Sequence, residues 1–207
     1  MHGCRSRANE IGMPAPTRPL RVLVLSFYYP PDLSAGSFRS ASLVSELLRV
    51  APRGSAVRVL TTAPNRYSTH ETSAASLEQH EGLRIDRIPV PLHRSGLIDQ
   101  ARTFLAFALG VRRATERQDY DLVFATSSRL MTAFLGSLVA RRLGTPLYID
   151  VRDVFVETIQ EVLPGGIAKL LLPLLRLVER TTFRRASRIN LVSEGFRSYF
   201  EARFPGG

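Results

Sequence analysis

The segment PLYIDVRDVFVE, Pro146 to Glu157, places Asp150, Arg152, Asp153 and Glu157 where an apolar run ends. A charge beside a buried strand is costly unless it is paired or put to use. A carboxylate here suits orienting or deprotonating an acceptor hydroxyl, and an arginine suits holding a phosphate or a carboxylate. The plain alternative is an internal Arg–Asp pair that fixes the loop.

A second group follows the first apolar run: Tyr28, Tyr29, Pro30, Pro31, Asp32, Ser34, Ala35, Gly36 and Ser37, with Arg39 shortly after. Small residues before a helix let backbone N–H groups approach an anion, and Gly36 has no side chain to obstruct that approach. Arg39 can add charge. An ordinary turn at Gly36 is the alternative. A third group, Ser127, Ser128 and Arg129, offers hydroxyls that either bond a sugar or cap the next helix. Ser193 reads as an N-cap. The chain has no Walker pattern and no GxGxxG after its first strand, and Thr61 and Thr62 stand where a dinucleotide fold would carry an acid. His2, His70, His80 and His93 lack metal-ligand spacing, so no metal or other cofactor is expected.

These groups need elements to position them. Leu20–Phe27 is a nearly unbroken apolar run, as expected of a strand buried on both faces. A helix follows, with Phe38, Ala41, Val44, Leu47 and Leu48 on one face. The alternation then continues. Strands are predicted at Ala56–Thr61, Gly82–Val90, Asp121–Thr126, Pro146–Val151 and Arg188–Val192. Helices are predicted at Leu97–Arg117, Leu130–Leu143 (stopped by Gly144), Ile167–Ala186 and Glu194–Phe204. Pro173 either kinks its helix or marks its start. Residues 62–81 read as a polar, irregular loop. The pattern predicts an α/β, Rossmann-like parallel sheet with helices on both faces. In such sheets ligands lie beyond the carboxyl ends of the strands, where all three polar groups fall.

The 207 residues suit one domain, 20–207, preceded by a basic tail, 1–19, that has no apolar core and so is no signal peptide. The net charge of +10 favours an anionic partner, either a phosphorylated substrate or a membrane surface. Nucleic acid is not expected, because the basic residues are scattered and no recognition motif is present. The stretch IAKLLLPLLRLVERTTFRRASR, from Ile167, joins an apolar half to a basic half. It reads as a helix lying on anionic lipid or as a core helix with a solvated end. Arg112, Arg113, Arg141 and Arg142 could extend the same surface. Cys4 is the sole cysteine, which fits a reducing compartment.

RVLVLSFYYPPDLSAGSFRSASLVSELL resembles the opening of family 4 glycosyltransferases. VRVLTTAPNRY, DLVFATSS, GTPLYIDVRDVFVE and INLVSEGF continue the match, from about Arg21 to Phe204. The chain is similar to bacterial transferases of amino-sugars and fucosamine-type sugars in O-antigen and capsule assembly. The resemblance implies the N-terminal, acceptor-side half of a GT-B fold, working with retention and without bound metal. Gly36, Ser37 and Arg39 would then lie near the donor diphosphate. Asp153 and Arg152 would be catalytic, with Arg152 standing where many relatives carry a histidine. Tyr29, Ser127, Ser128 and Glu157 would meet the acceptor. The substrates implied are a nucleoside-diphosphate sugar and a lipid-linked or glycan acceptor. The setting implied is cytoplasmic, or peripheral on the inner face of the plasma membrane. The donor-binding domain of the family has no counterpart here. The chain is therefore expected to be incomplete alone: a fragment, half of a split enzyme partnered by a separate chain, or a frame-shifted product. The alternative function is a non-catalytic nucleotide-binding or membrane-surface partner subunit.

Overall fold

The computed structural model describes residues 18–64, 74–91, 96–127, 129–156 and 165–204. Its strands are β1 (Arg21–Leu25), β2 (Ala56–Thr62), β3 (Leu77–His80), β4 (Leu83–Ile88), β5 (Leu122–Thr126), β6 (Leu147–Val151) and β7 (Arg188–Leu191). Its helices are α1 (Ala35–Val50), α2 (Leu97–Ala114), α3 (Leu130–Leu143), α4 (Gly165–Phe183) and α5 (Arg197–Arg203). A single 3-10 turn, Glu194–Phe196, leads into α5.

One seven-stranded sheet runs in the order β3-β4-β2-β1-β5-β6-β7. Every pairing is parallel except β3 with β4. The Rossmann-like expectation therefore holds. The central strands are apolar on both sides because both sides are covered. In β1, Leu23 and Leu25 face the larger core, and Val22 and Val24 face the smaller one. The larger core lies under α2, α3 and the aromatic cluster of Phe183, Phe200 and Phe204; the smaller lies under α1 around Val44. Gly144, at φ 64, ends α3 in the left-handed conformation that glycine adopts without a Cβ penalty.

Two elements depart from expectation, and a third decides between alternatives left open at Pro173. Part of the stretch read as an irregular loop is the edge strand β3, paired antiparallel to β4 through a turn at Glu81–Gly82. Gly82 has φ 70, which closes the turn, and the strand LEQH is mostly exposed, so no apolar alternation announces it. Helix α1 starts three residues before Phe38. Ser34 caps it by accepting from the Ser37 N–H at 3.1 Å, which draws Gly36 and Ser37 into the first turn. Pro173 lies inside α4 and does not mark its start. Among the described residues no helix is long and apolar enough to cross a membrane. Of the predicted basic tail, only Arg18 and Pro19 are described; Arg18 pairs with Asp121.

Candidate active site

Strand register assembles a polar row at the carboxyl edge. Thr126 of β5 pairs in register with Asp150 of β6, and Asp150 with Asn190 of β7. Residues in register share a face, here the face of α1, because Phe124 and Tyr148 two positions earlier pack with the α1-side core. The row continues to Ser26, whose Oγ accepts from Thr126 Oγ1 at 3.4 Å and lies 2.9 Å from Ser40 Oγ of α1. Ser40 Oγ in turn donates to the Gly36 carbonyl at 2.8 Å.

Asp150 is fully buried at the centre of this row. It accepts from Arg39 Nε at 2.9 Å, Arg39 Nη2 at 2.8 Å and Asn190 Nδ2 at 2.6 Å. A carboxylate with three donors is compensated for its burial. The hydrogen bond to Asp150 raises the pKa of Arg39 against the opposing effect of partial burial. Arg152 stands farther away, with Nε 3.9 Å from Asp150. Its Nη2 donates to the carbonyl of Ala35, the first residue of α1, at 3.2 Å. Burial pulls the pKa of Arg152 down, Asp150 opposes that, and neighbouring Arg39 adds to it. Two guanidiniums therefore converge on one carboxylate beneath the start of α1, where the helix dipole is also positive.

The internal Arg–Asp pair posed as the alternative does exist, but its arginine is Arg39, from a distant helix. Asp153 is exposed beside it. Gly36 and Ser37 lie in the first turn of α1; Ser37 is fully buried and its Oγ has no hydrogen-bond partner. Tyr29 packs into the α1-side core, where burial raises its pKa, Arg87 lowers it and Glu78 raises it. Ser127 is buried and does not cap α3, whose N-cap is Arg129. Its Oγ instead accepts the Arg152 N–H at 3.1 Å, and its own N–H donates to the Asp150 carbonyl at 2.9 Å. It thus ties the ends of β5 and β6 together. Ser128 and Glu157 lie outside the described residues. Ser193 caps the final turn as expected, accepting from the Gly195 N–H.

Sequence reasoning missed Arg87 and Asn190. Arg87 is buried in β4 and donates to Pro30 O at 2.6 Å, Ala75 O at 3.0 Å and Glu78 Oε1 at 2.7 Å. It thereby fastens the loop after β1 to the β3–β4 hairpin. Its signal was parity: Arg87 shares its face of the strand with the buried Ile85. Arg129 adds a second tie, donating to Tyr28 Oη at 2.6 Å with its guanidinium 4.3 Å from the Phe27 ring centre.

A family model described as a glycosyl transferase 4-like domain matches residues 36–206. Among solved structures, the chain is similar to Arabidopsis thaliana UGT89C1 complexed with UDP, at 16% identity and a TM-score of 0.55, covering 90% of this chain and 46% of that one. It is also similar to a ugt transferase from Siraitia grosvenorii in complex with UDP, at 14% identity and a TM-score of 0.51, covering 89% and 47%. These likenesses show the fold, and the chain spans about half the length of the structures it matches. No curated protein matches the sequence.

Proposed function

The chain belongs to the glycosyl transferase 4-like family, and from that premise we propose that it is the N-terminal, acceptor-side domain of a glycosyltransferase. The reaction moves a sugar from a nucleoside-diphosphate sugar to a lipid-linked or glycan acceptor, in cell-surface polysaccharide assembly of the O-antigen or capsule kind. It takes place at the inner membrane face. The bond from the anomeric carbon to the diphosphate breaks, and a bond to the acceptor oxygen forms. The acceptor's proton leaves through a base, and negative charge gathers on the departing diphosphate.

One observation carries the reading: at a single sheet edge, Arg39 and Arg152 converge beneath the start of α1 while Asp153 stands exposed beside them. The first turn of α1, at Gly36, faces the diphosphate, with Ser37 buried behind it, and Arg39 and Arg152 supply fixed positive charge to it. Asp153 orients the acceptor hydroxyl or takes its proton. Asp150 is unsuited to that task because its oxygens already hold Arg39 and Asn190.

Joining this chain to a donor-side domain of the same family gives a testable enzyme. Asp153→Ala is expected to lower kcat by about a hundredfold or more, the usual contribution of a positioned acid–base group. Circular dichroism should be unchanged. Turnover equal to that of the parent would remove Asp153 from the mechanism.

A further inference from the structure

Helices α2, α3 and α4 cover one side of the sheet, with α3 in the middle. Together they carry eight basic residues against two acidic ones. Of the two acids, Glu179 is buried and accepts from Tyr199 Oη. The same three helices expose six large apolar side chains: Ile98, Leu105 and Leu109 of α2, Leu138 of α3, and Leu174 and Leu177 of α4. Helix α1 on the other side also exposes Phe38 and Val50 but differs in charge. Its two arginines are both paired, Arg39 with Asp150 and Arg49 with Glu46.

Between the carboxyl ends of α2 and α3 the layer opens into a groove of about 840 Å³. Leu109, Leu135 and Leu138 line its apolar part, and Arg112, Arg117 and Arg142 its basic part. Glu116 and Asp119 stand at the same rim, with Glu116 3.9 Å from Arg112. Arg142 also donates to Thr115. Both helices end where β5 and β6 begin, so the groove lies at the sheet edge opposite Asp153.

Leucine set among arginines that outnumber their acidic neighbours is the composition of a surface that meets an acyl boundary and anionic phosphate together. A soluble polyanion would satisfy the arginines and leave the leucines in water. An apolar protein partner would cover the leucines and strand the charge. We propose that the outer face of α2–α3–α4 is the surface on which the protein lies against an anionic phospholipid bilayer. In that arrangement the α2–α3 groove receives an acyl chain of one lipid, whose phosphate meets Arg112, Arg117 and Arg142. The inference rests on the membrane setting of the function proposed above and deepens it by naming the surface. Ile98, at the start of α2, carries the face toward the carboxyl edge, so a bilayer held there brings a lipid-linked acceptor to the active-site side.

The test is co-sedimentation of the full chain with vesicles of phosphatidylcholine, with and without phosphatidylglycerol. The parent should bind the anionic vesicles and lose most of that binding as salt is raised. Arg112→Gln with Arg117→Gln should weaken partitioning by roughly 30-fold, about fivefold per arginine near the surface. Leu109→Gln with Leu138→Gln should weaken it as well, including at low salt. Arg49→Gln with Val50→Gln, on the opposite layer, should bind like the parent. Circular dichroism checks that each variant is folded. If the parent ignores anionic vesicles, both the membrane setting and this surface are overturned, while transfer to a soluble acceptor would still stand. If the parent binds and both groove pairs bind equally well, the groove is overturned and the membrane setting remains.

Discussion

Two aspartates three positions apart in one segment have opposite fates. Asp150 sits in register between Thr126 and Asn190, on the face where α1 packs, and three donors close around it. Asp153 lies past the strand and keeps its exposure. Removing one partner of a buried pair leaves the other without compensation, so Asp150→Ala should destabilise the fold by about 3 kcal/mol. Asp153→Ala should stay within about 0.5 kcal/mol of the parent. Urea midpoints of the two variants check this; equal midpoints would mean that Asp150 does not hold α1 to the sheet. The sequence displayed the cost of a carboxylate at the end of an apolar strand, and so it singled out this segment. It could not display the partner, because Arg39 lies far away along the chain and meets Asp150 only once α1 has docked. The nearer Arg152 was the natural choice from the sequence, yet the structure sends its Nη2 to the Ala35 carbonyl.

At the scale of elements, long apolar runs and helical periodicity were legible, and short polar pieces were not. β1, β2, β5 and β6 declare themselves by being buried on both faces. β3 is an exposed edge whose residues join neither apolar core, so its pairing with β4 defines it. That hairpin matters through its charges. Asp86 of β4 accepts from Arg58 of β2 at 2.7 Å and from Arg84, and Arg58 also donates to the Ala114 carbonyl at the end of α2 and to Tyr120 Oη. Burial acts most strongly on Asp86 and raises its pKa, but the bonds from Arg84 and Arg58 together bring it below the ordinary value of 3.8. A carboxyl lowered in the folded state lends stability that is complete above its ordinary pKa and is lost as pH falls through the folded value. The stability gap between the parent and Asp86→Asn should therefore be constant from neutral pH down to about pH 5, and shrink below about pH 4. Urea titrations across that range measure the gap. A gap that does not change with pH would mean that Asp86 is held no differently in the folded and unfolded chains.

For the whole molecule, the net charge of +10 invites a nucleic-acid reading that the distribution of charge argues against. Arg39, Arg58, Arg87 and Arg152 turn inward to carboxylates or carbonyls and fasten strands, loops and α1 to one another. They are internal ties and offer no continuous track to a phosphate backbone. Much of the remaining positive charge lies on the α2–α3–α4 layer, interleaved with exposed leucines. A duplex offers those leucines nothing, because its backbone presents phosphate and sugar spaced along a groove, whereas a bilayer offers charge and apolar depth at the same place. Binding to duplex DNA should therefore stay non-specific, with a Kd no tighter than about 10⁻⁶ M at physiological salt. It should also fall steeply as salt rises, because counterion release is its sole drive. Anisotropy of a labelled duplex across a salt series tests this. Tighter binding that kept a sequence preference would mean that the basic layer reads nucleic acid, and the assignment of that face to lipid would have to be given up.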